Sequence, residues 1–165
     1  MTAAGGPGPG DDGPDLVARL PGGSLARGLI GQSQLIARRA REGPWRVAVT
    51  EDSMRAALEP GDWLLVDPTI RVWPRRGSIV VVREPGADLL AIKRIVARPG
   101  DVIRTTDGPI RLSPTQAWLL GDDRSVSRDS RAYGPVELDR LVARAFFRYA
   151  PRGREGRLDL DTGGR

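Results

Sequence analysis

Residues 89–97 read Leu-Leu-Ala-Ile-Lys-Arg-Ile-Val-Ala and indicate the fold class of this 165-residue chain. Apolar and β-branched residues dominate the run, and the turn sequence Pro99-Gly100-Asp101 follows it. This combination is typical of a buried β-strand. Because side chains alternate between the faces of a strand, Lys93 shares a face with Ala91 and Ile95. A lysine on an apolar face is unusual unless it is paired or functional.

Similar short runs lie on both sides of this one and predict a mainly-β domain with short helical turns. Turn sequences such as Pro60-Gly61-Asp62 and Pro85-Gly86-Ala87 separate them. The predicted strands are Trp45–Val49, Trp63–Val66, Ile79–Arg83, Leu89–Ala97, Val102–Arg104, Ala117–Leu120 and Arg144–Tyr149, with a helical turn at Glu137–Val142.

The composition divides the chain into four segments. Residues 1–22 are rich in Gly, Pro and Asp, which predicts a disordered leader without the basic region of a signal peptide. Residues 23–43 fit a basic amphipathic helix that either packs on the domain or lies on a membrane surface. Residues 44–151 predict one compact domain, and residues 152–165 a disordered, polar tail.

Missing residue types exclude several kinds of site. The chain has no Cys and no His, which excludes disulfides, zinc fingers, thiol catalysis, a Ser-His-Asp triad and imidazole-ligated metal sites. We therefore expect neither a metal nor another cofactor. The net charge is +5, but the basic residues are dispersed among 21 acidic ones. No basic patch interleaved with aromatic residues occurs, so we expect no nucleic-acid partner.

A serine hydrolase without histidine can still use a neutral lysine amine as its base. Lys93 is the one lysine among 26 basic residues, and arginine cannot act as a base. A lysine with a pKa near 10.4 is neutral in about 0.04% of molecules at pH 7, so burial must lower its pKa. Ser53 follows a predicted strand, where a turn can expose its hydroxyl. On this pattern alone, Ser53 fits an ordinary helix-capping serine better.

Three sequence boxes stand out over about residues 47–149. They are Ser53-Met54…Leu58…Gly61-Asp62, then Lys93-Arg94-Ile95-Val96…Pro99-Gly100-Asp101, then Gly121-Asp122-Asp123-Arg124…Ser127-Arg128-Asp129-Ser130-Arg131…Gly134. These boxes resemble those of bacterial type I signal peptidases, which are Ser/Lys-dyad serine endopeptidases on a β-rich fold shared with the self-cleavage domain of SOS repressors. The resemblance therefore implies that residues 44–151 are a signal-peptidase/SOS-repressor-like β domain.

The same resemblance implies roles for individual residues. Ser53 would be the nucleophile, with its backbone N–H in the oxyanion hole, and Lys93 would be the general base. Ser127 would orient the Lys93 amine. An ion pair of Asp129 with Arg131 would brace the third box, Asp122 would belong to a structural turn, and Met54 would pack near small substrate side chains. The alternative for Asp122, Asp129 and Arg131 is a solvated loop with weak surface pairs.

The surroundings of Ser53 depart from the family pattern. Glu51 and Asp52 stand where the family has Ser or Gly, so an oxyanion-hole hydroxyl is missing unless Thr50 supplies it. Two carboxylates there would favour the charged form of Lys93. Further departures are Ala56 for a proline, Gly77-Ser78 for Gly-Asp and Asp123 for an asparagine. We expect reduced activity or a narrow substrate range.

We expect a short form of the family, with neither an amino-terminal anchor nor a large insert after the lysine strand, because Gly121 follows Lys93 by only 28 positions. Nickel-type superoxide dismutase maturation proteases are such forms and tend to show a stretch like Gly61-Asp62-Trp63-Leu64-Leu65-Val66. This resemblance implies a precursor polypeptide as the partner and a location in the cytoplasm or at the membrane periphery. The oligomeric state stays open.

Three functions remain open from the sequence. The first is removal of an N-terminal signal or maturation peptide from a precursor protein. The second is self-cleavage, as in SOS repressors, although Ala4-Gly5 is the only upstream Ala-Gly pair and no helix-turn-helix pattern occurs. The third is a catalytically impaired binding module that keeps the peptidase fold.

Overall fold

The computed structural model describes residues 45–87 and 89–158. Within these ranges the chain forms ten β-strands, one single-turn α-helix and two 3-10 turns. The strands are β1 (Trp45–Ala48), β2 (Trp63–Asp67), β3 (Ile79–Arg83), β4 (Leu90–Ala97), β5 (Val102–Thr105), β6 (Gly108–Arg111), β7 (Gln116–Leu120), β8 (Val136–Glu137), β9 (Leu141–Ala150) and β10 (Gly156–Arg157). The helix α1 spans Ser130–Tyr133, and the 3-10 turns span Asp52–Met54 and Leu138–Arg140.

Eight of the described strands form one antiparallel sheet in the order β1-β2-β9-β3-β4-β7-β8, with β10 added beside β9. Strands β5 and β6 form a separate hairpin. Strand β9 lies between β2 and β3, so it joins the half of the sheet that contains β1 and β2 to the half that contains β3 and β4.

The sheet buries apolar side chains on both faces, and β3 supplies both cores. Ile79 and Val81 belong to the first core, whereas Val80 and Val82 belong to the second. A strand buried on both faces is a continuous apolar run, which explains why the predicted bounds of β3 match the observed ones. The first core also contains Val49, Met54, Leu58, Leu64, Val66, Ala143 and Ala145, and the second Trp73, Ile95, Ala117, Leu119 and Val136.

The prediction of a mainly-β single domain is confirmed, but several elements differ from it. Strands β6 and β8 and helix α1 were not predicted, because each is short and is stabilised by its partners more than by its own sequence pattern. The predicted helical turn at Glu137–Val142 is wrong in its extent. The 3-10 turn covers only Leu138–Arg140, and β9 begins at Leu141, because Leu141 already pairs with Val82.

The predicted tail at 152–165 is wrong for residues 152–158. Gly156 and Arg157 pair with Arg148 and Phe147, and Leu158 packs against the first core. The pairing joins neighbouring residues, but a two-residue strand has no apolar pattern of its own, and Leu158 packs against a core that contains remote residues such as Met54, so local composition did not reveal these contacts. The predicted leader at 1–22, the predicted helix at 23–43 and residues 159–165 lie outside the described residues. Of the residues that the structure describes, none forms a helix with the length and apolarity that crossing a bilayer requires.

Candidate active site

Ser53 lies in a loop that connects β1 to β2 and that we call the Ser53 loop, residues 49–62. Two backbone hydrogen bonds close its base: the Val49 N–H donates to the Asp62 carbonyl at 2.8 Å, and the Gly61 N–H donates to the Val49 carbonyl at 2.9 Å. Ser53 sits in the middle of the 3-10 turn and is 8% exposed. The loop therefore holds a nearly buried serine at the end of a strand.

Lys93 reaches this serine from the other half of the sheet. It lies on β4 opposite Val80 and is 3% exposed. Its Nζ is 3.1 Å from the Oγ of Ser53 and 3.2 Å from the Oγ of Ser127. The structure thus brings together three predicted site residues, although Ser53 and Ser127 lie 40 and 34 residues from Lys93 in sequence.

Burial sets the protonation of this lysine. Removal from water lowers the pKa of Lys93 below its ordinary value of 10.5. The negative charges of Asp129, Glu51 and Glu84 act against this change, and Arg131 adds to it. Because burial outweighs the carboxylates, the neutral amine is more populated than in a free lysine.

The loop of the third sequence box is organised by a fully buried carboxylate. Arg131 forms a two-point ion pair with Asp129, at 2.9 Å from Nε to Oδ1 and 2.6 Å from Nη2 to Oδ2. Asp129 also accepts from the N–H of Gly121 at 3.0 Å and from the N–H of Arg131 at 3.1 Å, which caps helix α1. Burial alone would raise the pKa of Asp129, but its hydrogen bonds, first that of Arg131, outweigh burial and lower it.

Gly121 is where this loop approaches the Ser53 turn most closely. A Cβ at position 121 would lie 2.1 Å from the Oγ of Ser127 and 2.5 Å from the backbone carbonyl of Ser53. That carbonyl also accepts a hydrogen bond from the Asp123 N–H at 3.1 Å. Only glycine fits between the two serines, a requirement that the spacing of the third box could not reveal.

Asp122 has a partner that sequence reasoning missed. Arg94 donates to both of its carboxylate oxygens, at 2.8 and 2.7 Å, and to the Gly77 carbonyl at 2.8 Å. Arg94 follows Lys93 on the opposite face of β4, so the two neighbours serve different sides of the strand. The sequence signal for this partner was the Lys93-Arg94 pair, because neighbouring side chains on a strand point to opposite faces and Arg94 therefore lies on the face away from the buried amine.

Met54 and Asp52 are the immediate neighbours of Ser53 in the 3-10 turn. Met54 is 1% exposed and belongs to the first core, and its packing near small substrate side chains stays a prediction. Of the two carboxylates that precede Ser53, that of Asp52 forms an ion pair with Arg55, at 3.0 Å from Oδ1 to Nε. Glu51 is exposed and caps no N–H of the 3-10 turn.

A serine hydroxyl beside a buried amine, as at Ser53 and Lys93, is suited to acyl transfer.

Comparisons with known proteins identify the family of this chain. The family model described as "Signal peptidase, peptidase S26" matches residues 35–117 and 111–150. The chain is 28% identical over 147 residues to Probable signal peptidase I-1 of Synechocystis, covering 69% of this chain and 75% of that protein. It is 33% identical over 122 residues to mitochondrial inner membrane protease subunit 2 of Mus musculus, covering 67% and 70% respectively. Since the family model matches most of the chain, the protein belongs to the signal peptidase family, peptidase S26, and is a serine-type endopeptidase.

Proposed function

We propose that this chain removes an N-terminal peptide from precursor proteins, with Ser53 as the nucleophile and Lys93 as the general base. The observation that carries the proposal is the 3.1 Å separation of Lys93 Nζ from Ser53 Oγ at a buried site. This distance lies within the range over which a base can take a proton from a nucleophile.

The proposed reaction proceeds in two halves. The neutral Lys93 amine takes the hydroxyl proton of Ser53 while Oγ attacks the carbonyl carbon of the scissile peptide. The Lys93 ammonium then gives that proton to the departing amine, and an ester of Ser53 remains. A water molecule, deprotonated by Lys93, attacks the ester, releases the new carboxylate and restores the Ser53 hydroxyl. The backbone N–H of Ser53 contributes to stabilising the oxyanion.

The other site residues position this pair. Ser127, at 3.2 Å, can accept from the Lys93 amine and so direct the amine's lone pair toward Ser53. Asp129 and Arg131 hold the loop that carries Ser127. Asp122 fixes that loop to β4 through Arg94. Each of these assignments is part of the proposal.

The edge of β4 offers a place for the substrate backbone. Strand β7 pairs with β4 only from Arg94 onward, so Leu90 to Lys93 pair with β3 alone among the described strands. Leu90 is 41% exposed at this edge. An extended peptide can add to such an edge through main-chain hydrogen bonds, which would bring its scissile bond to the proposed dyad. Small residues such as alanine before the cut are implied by the family resemblance.

Two precursor classes are the candidates. Relatives named as signal peptidases favour a secretory precursor. The Gly-Asp-Trp-Leu-Leu-Val stretch at residues 61–66 favours a nickel superoxide dismutase precursor, the class cleaved by the maturation proteases that it resembles.

The test is intact-mass analysis of both precursors after incubation with the purified full-length protein. Lys93→Arg keeps the charge and removes the base, and thermal unfolding of both proteins checks that the variant is folded. Cleavage by the wild type alone supports the dyad, and the precursor that is cut selects the substrate class. Cleavage by Lys93→Arg would refute Lys93 as the base. Loss of a leader from the protein itself would favour self-cleavage, and no cleavage at all would favour the impaired binding module.

We also propose a peripheral membrane contact through residues 23–43, on the strength of their sequence. Arg27, Arg38, Arg39 and Arg41 accompany Leu25, Leu29 and Ile36 in this segment. Basic segments bind anionic lipid surfaces by about 1 kcal/mol per charge. The full chain should therefore co-sediment with phosphatidylserine-containing vesicles more than a variant with these four arginines changed to glutamine. Equal sedimentation of the two proteins would refute a membrane contact through these arginines.

A further inference from the structure

Asp62 is a buried carboxylate at the end of the Ser53 loop. It is 1% exposed, and its Oδ2 accepts hydrogen bonds from the N–H of Glu59 at 3.0 Å and from Arg148 and Arg154 at 3.1 Å each. A buried charge requires partners of this kind. The backbone carbonyl of the same residue receives the Val49 N–H that closes the base of the loop. One residue thus links loop closure to two distant arginines.

The two arginines form hydrogen bonds and ion pairs with the second half of the Ser53 loop. Arg148, on β9, donates from Nη1 to the Ala57 carbonyl at 3.0 Å as well as to Asp62. Arg154 pairs with Glu59 as well as with Asp62. Arg148 also donates through Nε to the Arg154 carbonyl, which connects the two arginines.

Residues 151–158, which we call the C-terminal clasp, are themselves fixed to the domain. Strand β10 pairs with β9, and the Leu158 N–H donates to the Phe146 carbonyl at 3.0 Å. Leu158 packs against the first core, which contains Met54 and Leu58 of the Ser53 loop. The family model ends its match at residue 150, so Arg154 and Leu158 lie beyond the matched part of the chain.

We propose that the C-terminal clasp positions the Ser53 loop for catalysis and that Arg154 is its positioning residue; the inference rests on the proposed function. Lys93 stands on β4, where it pairs with Val80 of β3, whereas Ser53 stands in a loop. The loop is fixed on one side by the Asp123 N–H, which donates to the Ser53 carbonyl. The clasp fixes the other side, through Glu59 and Asp62. Reaction rates depend steeply on such placement, and about 1 Å of displacement costs about 100-fold.

The chain offers a matched set of variants. Arg154→Ala removes the clasp contacts to Glu59 and Asp62, yet leaves Asp62 with Arg148 and the Glu59 N–H, so the fold keeps a partnered buried carboxylate. Arg152→Ala makes the same change two residues away, at an exposed side chain that forms no hydrogen bond or ion pair with the described residues 49–62. Arg154→Lys keeps the charge and can reach one carboxylate, so it should restore part of the lost rate.

The experiment compares the full-length variants in steady-state cleavage of a precursor that the wild type cuts, together with backbone hydrogen exchange. We expect Arg154→Ala to lower kcat about 10-fold while KM and the pH midpoint of the rate stay unchanged, because substrate docking on β4 and the surroundings of Lys93 are intact. We also expect faster exchange in residues 49–62 but not in β3 or β4. Arg152→Ala should match the wild type.

Two results would overturn the inference. One is a kcat for Arg154→Ala equal to that of Arg152→Ala. The other is faster exchange throughout the sheet, which would mean that the clasp contributes general stability only. If the wild type cuts no precursor, the proposed function is refuted. Hydrogen exchange then tests the clasp independently, because unchanged exchange in residues 49–62 of Arg154→Ala would refute its contact with the Ser53 loop.

Discussion

Lys93 is the proposed general base, so its surroundings should set the pH dependence of the rate. The acid limb of kcat/KM against pH reports the pKa of an essential base in the free enzyme. Since burial lowers the pKa of Lys93, we expect the midpoint of that limb to fall below 10.5, the ordinary lysine value. Activity should rise as pH increases through this midpoint, because deprotonation creates the base.

Glu51→Ser should move that midpoint to lower pH and raise the rate near neutrality. The negative charge of Glu51 raises the pKa of Lys93, so its removal favours the neutral amine. Asp52→Ser is the matched control, because Asp52 is already paired with Arg55. The measurement is the pH dependence of kcat/KM for the three proteins. An unchanged or lower rate for Glu51→Ser would contradict this account of the departure from the family pattern.

Gly121→Ala should nearly abolish cleavage. The new methyl group would overlap the Ser127 hydroxyl and the Ser53 carbonyl, and backbone cannot give way as a flexible side chain can. Overpacking of this kind costs about 1–3 kcal/mol of stability, and the displaced serines should lower kcat about 100-fold. Urea unfolding and precursor cleavage measure the two effects. Gly86→Ala is a control for glycine replacement alone, since no atom lies within 4 Å of its added Cβ, although its positive φ adds some strain.

The sequence predicted Ser53 and Lys93 because so few alternatives were left. With no His or Cys and one lysine, the residue types singled out Lys93, whereas the choice of Ser53 among the serines rested on the resemblance of the family boxes. The Asp62 cluster could not be found in this way. Its arginines are 86 and 92 residues away in a chain with many arginines, so no local pattern pairs them.

Helix α1 and its preceding turn form the element that depends most on one buried charge. Asp129→Asn should destabilise the protein by about 2 kcal/mol at neutral pH, since it removes charge-assisted hydrogen bonds from Arg131 and Gly121. The pKa of Asp129 is lowered in the folded state, so its contribution is complete above 3.8 and is lost as pH falls through the folded value.

The free energy of unfolding, measured with urea from pH 7 down to pH 2, checks this prediction. The difference between wild type and Asp129→Asn should be largest at pH 7 and should shrink below about pH 4. Asp139→Asn, at an exposed carboxylate after β8, serves as the control and should show little difference. A gap that stays constant with pH would show that Asp129 acts through packing and not through its charge.

Long strands were predictable and the short ones were not. Strands β3 and β4 have apolar runs that specify them, whereas β8 and β10 contain two residues each and exist because β7 and β9 offer hydrogen-bonding edges. Such elements depend on tertiary pairing, which a reading of local sequence does not contain.

The first and second cores of the described residues lie on opposite sides of one sheet. Val66→Ala in the first core and Val136→Ala in the second remove the same two methyl groups from fully buried positions. Each should cost about 2 kcal/mol. The strands β2 and β8 are remote in the sheet order, so the double variant should lose the sum within about 0.5 kcal/mol. The free energies of unfolding in urea of the wild type, both single variants and the double variant measure this additivity. A deviation larger than about 0.5 kcal/mol would mean that the two cores are energetically coupled.

The central place of β9 has a consequence for when this peptidase gains its activity during synthesis. Ser53 belongs to the β1–β2 half of the sheet and Lys93 to the β3–β4 half, and β9 joins the halves. Residues 141–150 emerge from the ribosome after both. Until they do, the strands that flank β9 have no partner between them, and pairings so distant in sequence form late. A nascent chain therefore carries the proposed nucleophile and the proposed base without a framework that joins them. On the proposed mechanism, we expect the chain to stay inactive until β9 has paired with both halves.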